Sequence, residues 1–428
     1  MHNLSLYSGM MAQSIKIVAC LVTIFLSLPV FSQTGPSPLA LYEEGRAVAD
    51  KNPSKAYYIF IRSIALARKN GDWDVYIEAL NSSSNLVLAA LSSLSDPPPP
   101  LARKNDEAFN SAREALPLTE NFKSRPAVAL LHYNVAEFYS LNNDVDTAVY
   151  HYQKAKDIFA SLNGESSREV AQCYHGLGDV YKYNKLDFYD AEINYEKALT
   201  IREGIGFQDT LVLYKNFYSL AATNKSQLDF EKALSYGTKA MDLAKALDPL
   251  RVELTTAMVA NIYRDMKESA MATKYYLEAI SLNKRTNIEE NRAYYYMSLG
   301  ETYKNDSSYR EALRCFNEAY PYFRSSEGTD RNLFLYLLLH RADVYSTLKQ
   351  DANFIEATRE YFRELSLRNQ PQGTFASLGM ALLGDYHRKK NGYDSALSYY
   401  QKALNSLLPT FTSTNTKDNP TEGMEGFF

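Results

Sequence analysis

One pattern returns five times along this 428-residue chain: an alanine, an aromatic residue four positions later and a second alanine three positions after that. These spacings place all three side chains on one face of an α-helix. A sixth copy keeps Ala233 and Ala240 but has Gly237 in the middle. From Ala155 to Ala319 the final alanines lie 43, 42, 39 and 40 residues apart, which is typical of chains that stack short helical units. The full copies are Ala148, Tyr152 and Ala155; Ala191, Tyr195 and Ala198; Ala272, Tyr276 and Ala279; Ala312, Phe316 and Ala319; and Ala396, Tyr400 and Ala403.

A second cluster precedes the copies, and its clearest examples are YHGLGDVY, ending at Tyr181, and YMSLGETY, ending at Tyr303. Two clusters per unit predict two helices per unit, and small residues such as Gly178 and Gly300 let those helices approach closely. Leu-Gly, then Tyr, then the alanine–aromatic–alanine pattern resembles the tetratricopeptide repeat, and the longer period is similar to that of kinesin light chain repeats. The resemblance implies an all-α fold, a tetratricopeptide-like α-solenoid that forms a right-handed superhelix of about nine helix pairs.

Weaker copies of the pattern extend the array at both ends. Ala56 and Phe60 keep the repeat spacing, and DEAFNSAREALP carries three more alanines after the stiff link Pro97–Pro100. Another degenerate unit lies at 337–362. We therefore expect a leader at 1–32, degenerate N-terminal helical repeats at 33–125, the repeat array at 126–408, and a flexible tail or linker at 409–428.

The first 32 residues have the pattern of a secretory signal peptide. Lys16 precedes an apolar run of roughly 14 residues, shorter than the ~20 that span a bilayer. The small residues Val30 and Ser32 predict cleavage before Gln33. Cys20 completes the letters of a lipoprotein box, but the apolar segment continues well past it. We expect an exported protein, periplasmic or extracellular, with no membrane span once the leader is removed.

Composition and motifs argue against nucleic-acid binding and against catalysis. The formal charge is −4, the isoelectric point is about 6.0, and no long basic run provides a footprint for nucleic acid. The sequence has no HExxH, GxSxG, Walker A or GxGxxG motif, and Cys173 and His175, two apart on a helix, point away from each other. We expect no catalytic residue, metal or cofactor. Cys173 and Cys315 should be buried free thiols, and His387 should replace a packing tyrosine.

The resemblance also implies where a partner would bind, because the fifth and ninth positions of each first helix usually face the concave groove of such arrays. Here these positions combine apolar residues with an acidic stripe. No unit has the Lys and Asn of the carboxylate-clamp type, so we expect no capture of C-terminal carboxylates in that manner. Basic residues three positions after the ninth predict partial neutralisation by i,i+3 pairing; they are Lys182, Arg264, Lys304 and Arg388. The candidate groove residues are Tyr133, Glu137, His175, Asp179, Tyr218, Met297, Glu301, Asp343 and Asp385.

The last predicted helix, roughly 392–408, presents an apolar stripe that is too wide for its own partner helix to cover, and no capping helix pattern follows. An exposed stripe on a solenoid end predicts an interface with a second copy, a downstream domain or a separate partner. The candidate interface residues are Tyr399, Leu404, Leu407 and Leu408.

These features predict an exported scaffold that binds a protein or peptide in its groove and has no catalytic activity. A second interpretation stays open. The stretch LLPTF, followed by an Asn-Pro pair at 419–420, resembles the end of repeat arms that precede a CHAT domain, a caspase-like cysteine protease module. That resemblance implies the sensing or recruiting arm of a truncated CHAT-type protease or of a signalling protein.

Overall fold

The computed structural model describes residues 35–91, 100–325, 331–367, 373–408 and 413. Within those ranges the chain consists of eighteen α-helices with short 3-10 and π segments and no β-strand, so the all-α prediction is confirmed. The predicted signal peptide at 1–32 lies outside the described residues, as does the predicted tail at 409–428 apart from Ser413.

The helices form two compact units, and the boundary between Asn134 and Val135 falls inside a helix. The first unit holds four complete helices and the start of a fifth. They are α1 Pro38–Ala49, α2 Pro53–Asn70, α3 Trp73–Leu91, α4 Asn105–Ala115 and α5 Arg125–Leu141, with 3-10 turns at Pro100–Lys104 and Leu116–Asn121. The division of the array at 125/126 stays a prediction.

The second unit continues from α5 through thirteen further helices, and successive helices pack as antiparallel pairs. Counted with the first unit, the described ranges contain nine pairs, the number predicted. The helices are α6 Val145–Asn163, α7 Arg168–Asp179, α8 Phe188–Gly204, α9 Thr210–Ser226, α10 Phe230–Ala244, α11 Pro249–Asp265, α12 Ser269–Thr286, α13 Glu289–Asn305, α14 Tyr309–Ser325, α15 Arg331–Thr347, α16 Asp351–Leu367, α17 Thr374–Lys389 and α18 Tyr393–Leu407.

The turn inside each pair from α5–α6 onward uses one residue in the left-handed region, with φ between +57° and +64°. After it, a backbone N–H returns to the end of the first helix; Asp144 N donates to Tyr139 O at 2.9 Å, which satisfies a carbonyl that the helix leaves unpaired. After α7, a π turn at Val180–Lys185 adds one residue before the left-handed residue, inside the longest of the repeat spacings. The left-handed residues are Asn143, Leu186, Leu228, Lys267, Ser307, Lys349 and Asn391.

Small residues of first helices lie directly against aromatic rings of second helices, as the sequence predicts. A Cβ atom built on Gly178 would lie 2.6 Å from the Tyr195 ring, and one on Gly300 would lie 2.5 Å from the Phe316 ring. Both distances are well inside van der Waals contact, so only glycine permits this approach of the two helices. The contact fixes each second helix against the face of the first.

Cys173 and Cys315 are buried and free, as predicted. Burial raises the pKa of the Cys173 thiol to about 12 and that of Cys315 to about 11. Because the thiolate is the reactive form of cysteine, both side chains serve as small apolar core residues.

Candidate binding site on the first-helix face

Most ninth-position side chains of the predicted groove are held by a tyrosine of their own helix pair. In three pairs the tyrosine of the alanine–aromatic–alanine pattern donates its hydroxyl proton to the acidic residue. These bonds run from Tyr152 to Glu137 at 2.7 Å, from Tyr195 to Asp179 at 2.6 Å and from Tyr400 to Asp385 at 2.7 Å. In a fourth pair, Tyr276 donates to the amide oxygen of Asn261 at 2.5 Å. These predicted groove residues therefore contribute to packing within their own pairs.

Two consecutive pairs keep an acid at the ninth position but lack the tyrosine. In α13–α14 the aromatic residue is Phe316, which has no hydroxyl, and in α15–α16 the same position holds Thr358. The corresponding acids, Glu301 and Asp343, bond instead to basic side chains of neighbouring pairs. The residue type on the second helix thus determines whether the carboxylate on the first helix bonds within its own pair or to a neighbouring pair.

The redirected carboxylates join successive first helices. Arg264 Nη1 donates to Glu301 Oε2 at 3.2 Å, which links α11 to α13. Lys304 Nζ donates to Asp343 Oδ2 at 2.8 Å, which links α13 to α15. His340 Nε2 lies 3.3 Å from Glu301 Oε1 and adds a second link between the same two helices.

These contacts correct the expected i,i+3 pairing. It holds for Arg388, whose Nη2 lies 3.3 Å from Asp385 Oδ1, but Arg264 and Lys304 pair with the next helix pair. Lys182 is buried and its Nζ donates to the Tyr183 hydroxyl at 3.1 Å. The residue three positions before Arg264 is Asn261, which has no charge, and the carboxylate three positions before Lys304, Glu301, is already bonded to Arg264 and His340.

A cavity of about 390 Å³ opens between α13 and α15, the first helices whose acids lack the tyrosine hydroxyl. Its volume lies at the lower end of ligand pockets, which run from about 300 to 1,000 Å³. One end is apolar and the other is charged. Tyr294, Met297, Leu333 and Tyr336 form the apolar end; Arg264, Glu301, Lys304 and His340 form the charged end, with Ser298 and Asn305 completing the lining.

The Glu301 carboxylate at the charged end is surrounded by nitrogen atoms. Lys304 Nζ lies 3.2 Å from His340 Nδ1, and His340 Nε2 lies 3.3 Å from Glu301 Oε1. Burial by itself would raise the pKa of Glu301, but the bond from His340 and the charges of Arg264 and Lys304 outweigh it and hold that pKa below its usual range. The cavity therefore presents an ionised carboxylate beside two cations.

The remaining predicted groove residues do not line this cavity. Tyr133 is half-buried on α5, and Tyr218 is half-buried with its ring 5.8 Å from that of Tyr214. The ring of His175 packs 5.1 Å from that of Tyr195. Of the predicted set, the structure brings only Met297 and Glu301 into the cavity lining.

The predicted C-terminal interface is partly covered. Leu408 is buried, and Tyr399, Leu404 and Leu407 are half-buried. The Ser413 carbonyl accepts hydrogen bonds from Gln401 Nε2 at 3.1 Å and Asn405 Nδ2 at 2.9 Å, so the chain returns to α18 at this point. His387 stacks on Tyr399 at 5.2 Å, a packing contact that fits its predicted role. The interface itself stays a prediction.

Sequence reasoning missed most of the cavity: Tyr294, Leu333, Tyr336 and His340. A usable signal was present. Opposite charges recur about one repeat apart, as in Arg264 with Glu301, Lys304 with Asp343 and Lys225 with Asp265, which are 37, 39 and 40 residues apart. Pairing charges at the repeat period, rather than along one helix, would have pointed to this face.

In the part of the chain that the structure describes, no three His, Cys, Asp or Glu side chains are grouped so as to hold a metal ion. None of the described helices has the length and apolar character needed to cross a membrane.

Comparison with known families identifies the repeat. Tetratricopeptide repeat profiles match residues 127–204, which cover α5 to α8, and residues 257–286, which cover the end of α11 and all of α12. The chain contains tetratricopeptide repeats. Both matched stretches include a tyrosine bonded to the ninth position of its own pair. No curated protein matches the sequence.

Solved structures share the tetratricopeptide-like helical solenoid fold at low sequence identity. Apo RapI aligns with a TM-score of 0.62 at 13% identity, over 86% of this chain and 97% of its own. A Rap protein in complex with competence and sporulation factor gives 0.52 at 14% identity, over 86% and 97%.

A signal transduction ATPase with numerous domains and a tetratricopeptide repeat sensor, from Pyrococcus horikoshii, gives 0.59 at 17% identity over 82% of this chain. This chain spans about half of that protein, 52% of its length. Identities at this level concern the fold alone.

Proposed function

We propose that this chain is an exported interaction scaffold that binds a segment of a partner protein on the first-helix face of its second unit, with one side chain seated in the cavity between α13 and α15. The observation that carries the proposal is the position of the cavity. The cavity lies where Phe316 and Thr358 leave Glu301 and Asp343 without the tyrosine bond that occupies the acids of other pairs.

The lining suggests the chemistry of the bound segment. Met297 and Tyr336 offer apolar contact area at one end, while Glu301 and Lys304 offer both signs of charge at the other. A partner segment with a large apolar side chain next to a polar or charged group matches this division. Recognition of a partner is also the role visible in the solved complex of a Rap protein with competence and sporulation factor.

A peptide library displayed on phage and selected against the full chain would test the proposal. Selected peptides should lose affinity by about 1–3 kcal/mol in Tyr336→Ala, because aromatic anchors dominate such interfaces. Tyr393→Ala is the matched control, since Tyr393 is 60% exposed on the last helix and lies outside the cavity lining. Peptides whose affinity is equal in the two variants would place the binding surface elsewhere.

Export is the second part of the proposal and rests on the sequence of residues 1–32. N-terminal sequencing of the secreted form should start at or within a few residues of Gln33. A mature species that begins at a lipidated Cys20 would contradict a soluble exported form.

The alternative is a sensing or recruiting arm of a larger protein, of the CHAT-protease or signalling type. The fold likeness to an ATPase that carries a tetratricopeptide repeat sensor favours it. Reading the DNA downstream of the codon for Phe428 distinguishes the two, because an in-frame protease or signalling module would replace the scaffold proposal.

A further inference from the structure

Three consecutive turns of the second unit expose large apolar side chains at one edge of the helix pairs. We call this surface the turn edge; it lies at the turns of α5–α6, α7–α8 and α9–α10. Its members, with their exposed fractions, are Leu141 at 55%, Tyr183 at 62%, Leu186 at 67%, Tyr189 at 70% and Leu228 at 71%. Single exposed apolar residues are ordinary, but a contiguous group on a soluble protein marks an interface.

The turns are tied to one another, so these side chains share one surface. Asn184 Nδ2 donates to Ser140 O at 2.8 Å and to Asn143 Oδ1 at 3.1 Å, which joins the first turn to the second. Gln227 Nε2 donates to Phe188 O at 2.6 Å, which joins the second to the third.

Two of the leucines stand where leucine is unfavourable for folding. Leu186 has φ +57° and Leu228 has φ +64°, a left-handed conformation that L-residues avoid and that asparagine tolerates better. The same turn position is polar in the five other pairs, which have Asn143, Lys267, Ser307, Lys349 and Asn391. Leucine here adds backbone strain and exposes apolar surface, and neither contributes to the stability of the fold. A binding role explains both.

The charge beside the leucines is mostly negative. Aspartates cap the second helix of each pair; Asp187 Oδ1, for example, accepts from Asp190 N at 3.1 Å. The carboxylates of the three turns are Asp144, Asp146, Asp187, Asp190, Asp229 and Glu231. Lys225 pairs with Asp265, and Lys232 pairs with Glu192 and, at 3.8 Å, with the capping carboxylate of Asp229. Lys182 is buried and Lys185 is exposed, so the six carboxylates outnumber the four lysines of these turns.

From these observations we propose that the turn edge docks a basic amphipathic segment of a partner protein, whose apolar face covers the leucines and tyrosines and whose lysines or arginines meet the capping carboxylates. Charge complementarity of this kind selects partners and speeds their encounter. The acidic surroundings repel an anionic membrane, which would otherwise accept exposed Tyr and Leu. The site is separate from the cavity and does not depend on it.

A defined probe tests the proposal: a fluorescent peptide of about 18 Leu and Lys residues, patterned so that the leucines share one helix face. As a helix it is about 27 Å long at 1.5 Å per residue, enough to cross three turns. Anisotropy with the full chain should show binding that weakens with added salt. A peptide in which every Lys is replaced by Glu should not bind.

The decisive variant is Leu186→Asn with Leu228→Asn, which suits the left-handed backbone and so should not lower the thermal midpoint of unfolding. We expect it to weaken binding of the Leu/Lys peptide by about tenfold or more. Lys267→Asn with Lys349→Asn is the matched control, because both residues occupy the same turn position in later pairs. This control should leave the affinity unchanged, as should the cavity variant Tyr336→Ala.

Three outcomes would overturn the proposal. The leucine variant and its control could bind the Leu/Lys peptide equally well. The Leu/Glu peptide could bind as tightly as the Leu/Lys peptide. Vesicles that contain anionic lipid could bind the chain through the same leucines, which would make the surface a membrane contact.

Discussion

The His175 side chain is 17% exposed, with its Nε2 3.9 Å from Asp179 Oδ2, and its protonation should affect stability. Burial, followed by the charges of Arg202, Lys215 and Lys182, lowers the pKa of His175 to about 3. An unfolded histidine takes up a proton near pH 6.5. Between about pH 6.5 and 3, the unfolded chain therefore binds a proton at His175 that the folded chain does not bind. The free energy of unfolding falls as the pH decreases through this window. Denaturant melts at several pH values should show a smaller fall for His175→Gln.

The NMR signal of the His175 ring gives an independent check on the same point. Its Cε1 proton should keep the chemical shift of the neutral ring as the pH is lowered to about 4. A midpoint near 6.5 would contradict the burial argument.

Phe316 offers a second prediction at the residue scale. Phe316→Tyr should place a hydroxyl where Glu301 can accept it, as Glu137 accepts from Tyr152 at 2.7 Å. One added hydrogen bond stabilises the fold by about 1 kcal/mol. Glu301 would then be drawn away from His340, and cavity-selected peptides should bind more weakly. Calorimetry of the same variant measures both the stability of the fold and the affinity for cavity-selected peptides. A gain in affinity would show that the Glu301 carboxylate is not part of the site.

At the scale of the helix pair, we expect the contact between the first-helix glycine and the second-helix aromatic ring to be the most sensitive to substitution. Gly178→Ala puts a methyl group 2.6 Å from the Tyr195 ring, and overpacking of this kind costs about 1–3 kcal/mol. Gly204→Ala is the matched control, because a Cβ there meets nothing within 4 Å and alanine favours a helix by about 0.5–1 kcal/mol. Chemical denaturation should therefore move the two midpoints in opposite directions.

The elements also show what sequence reasoning reaches. Helix pairs, their turns and the glycine contacts were predictable because each depends on spacings inside one repeat. The buried carboxylate of Glu253 was not. It is fully enclosed and accepts hydrogen bonds from Asn283 Nδ2, Asn291 Nδ2 and Tyr295 Oη, each at 3.0 Å. The donors come from α12 and α13 while Glu253 lies on α11, and no spacing along one helix brings the three helices together. The cavity escaped prediction for the same reason.

For the whole molecule, stability should spread only between neighbouring repeats, because each helix pair contacts its neighbours and not distant pairs. Gly384→Ala places a Cβ 2.6 Å from the Tyr400 ring in the last pair. Hydrogen exchange should quicken in α17 and α18 and, to a smaller extent, in α15 and α16. Protection in α6 to α8 should be unchanged; a uniform loss across the chain would mean that the array unfolds as one cooperative body.

The end of the array gives a prediction about assembly. Leu404 and Leu407 remain half-buried on α18 after Leu408 is covered. If this stripe is an interface, light scattering should show a larger particle for the parent than for Leu404→Glu with Leu407→Glu. A parent that is monomeric and binds no hydrophobic dye would mean that the end is already capped.

The links between first helices bear on how such an array can gain or lose repeats. Arg264 of α11 bonds to Glu301 of α13, and Lys304 of α13 bonds to Asp343 of α15. In both links the cation lies three residues after the ninth position of one first helix, and the carboxylate lies at the ninth position of the following first helix. Unequal recombination that removed α13 and α14 as a unit would remove Glu301 and Lys304 together and set Arg264 beside Asp343, so this link would keep one cation and one carboxylate. A gene with this charge pattern can change length by whole repeats while each new junction stays electrically matched.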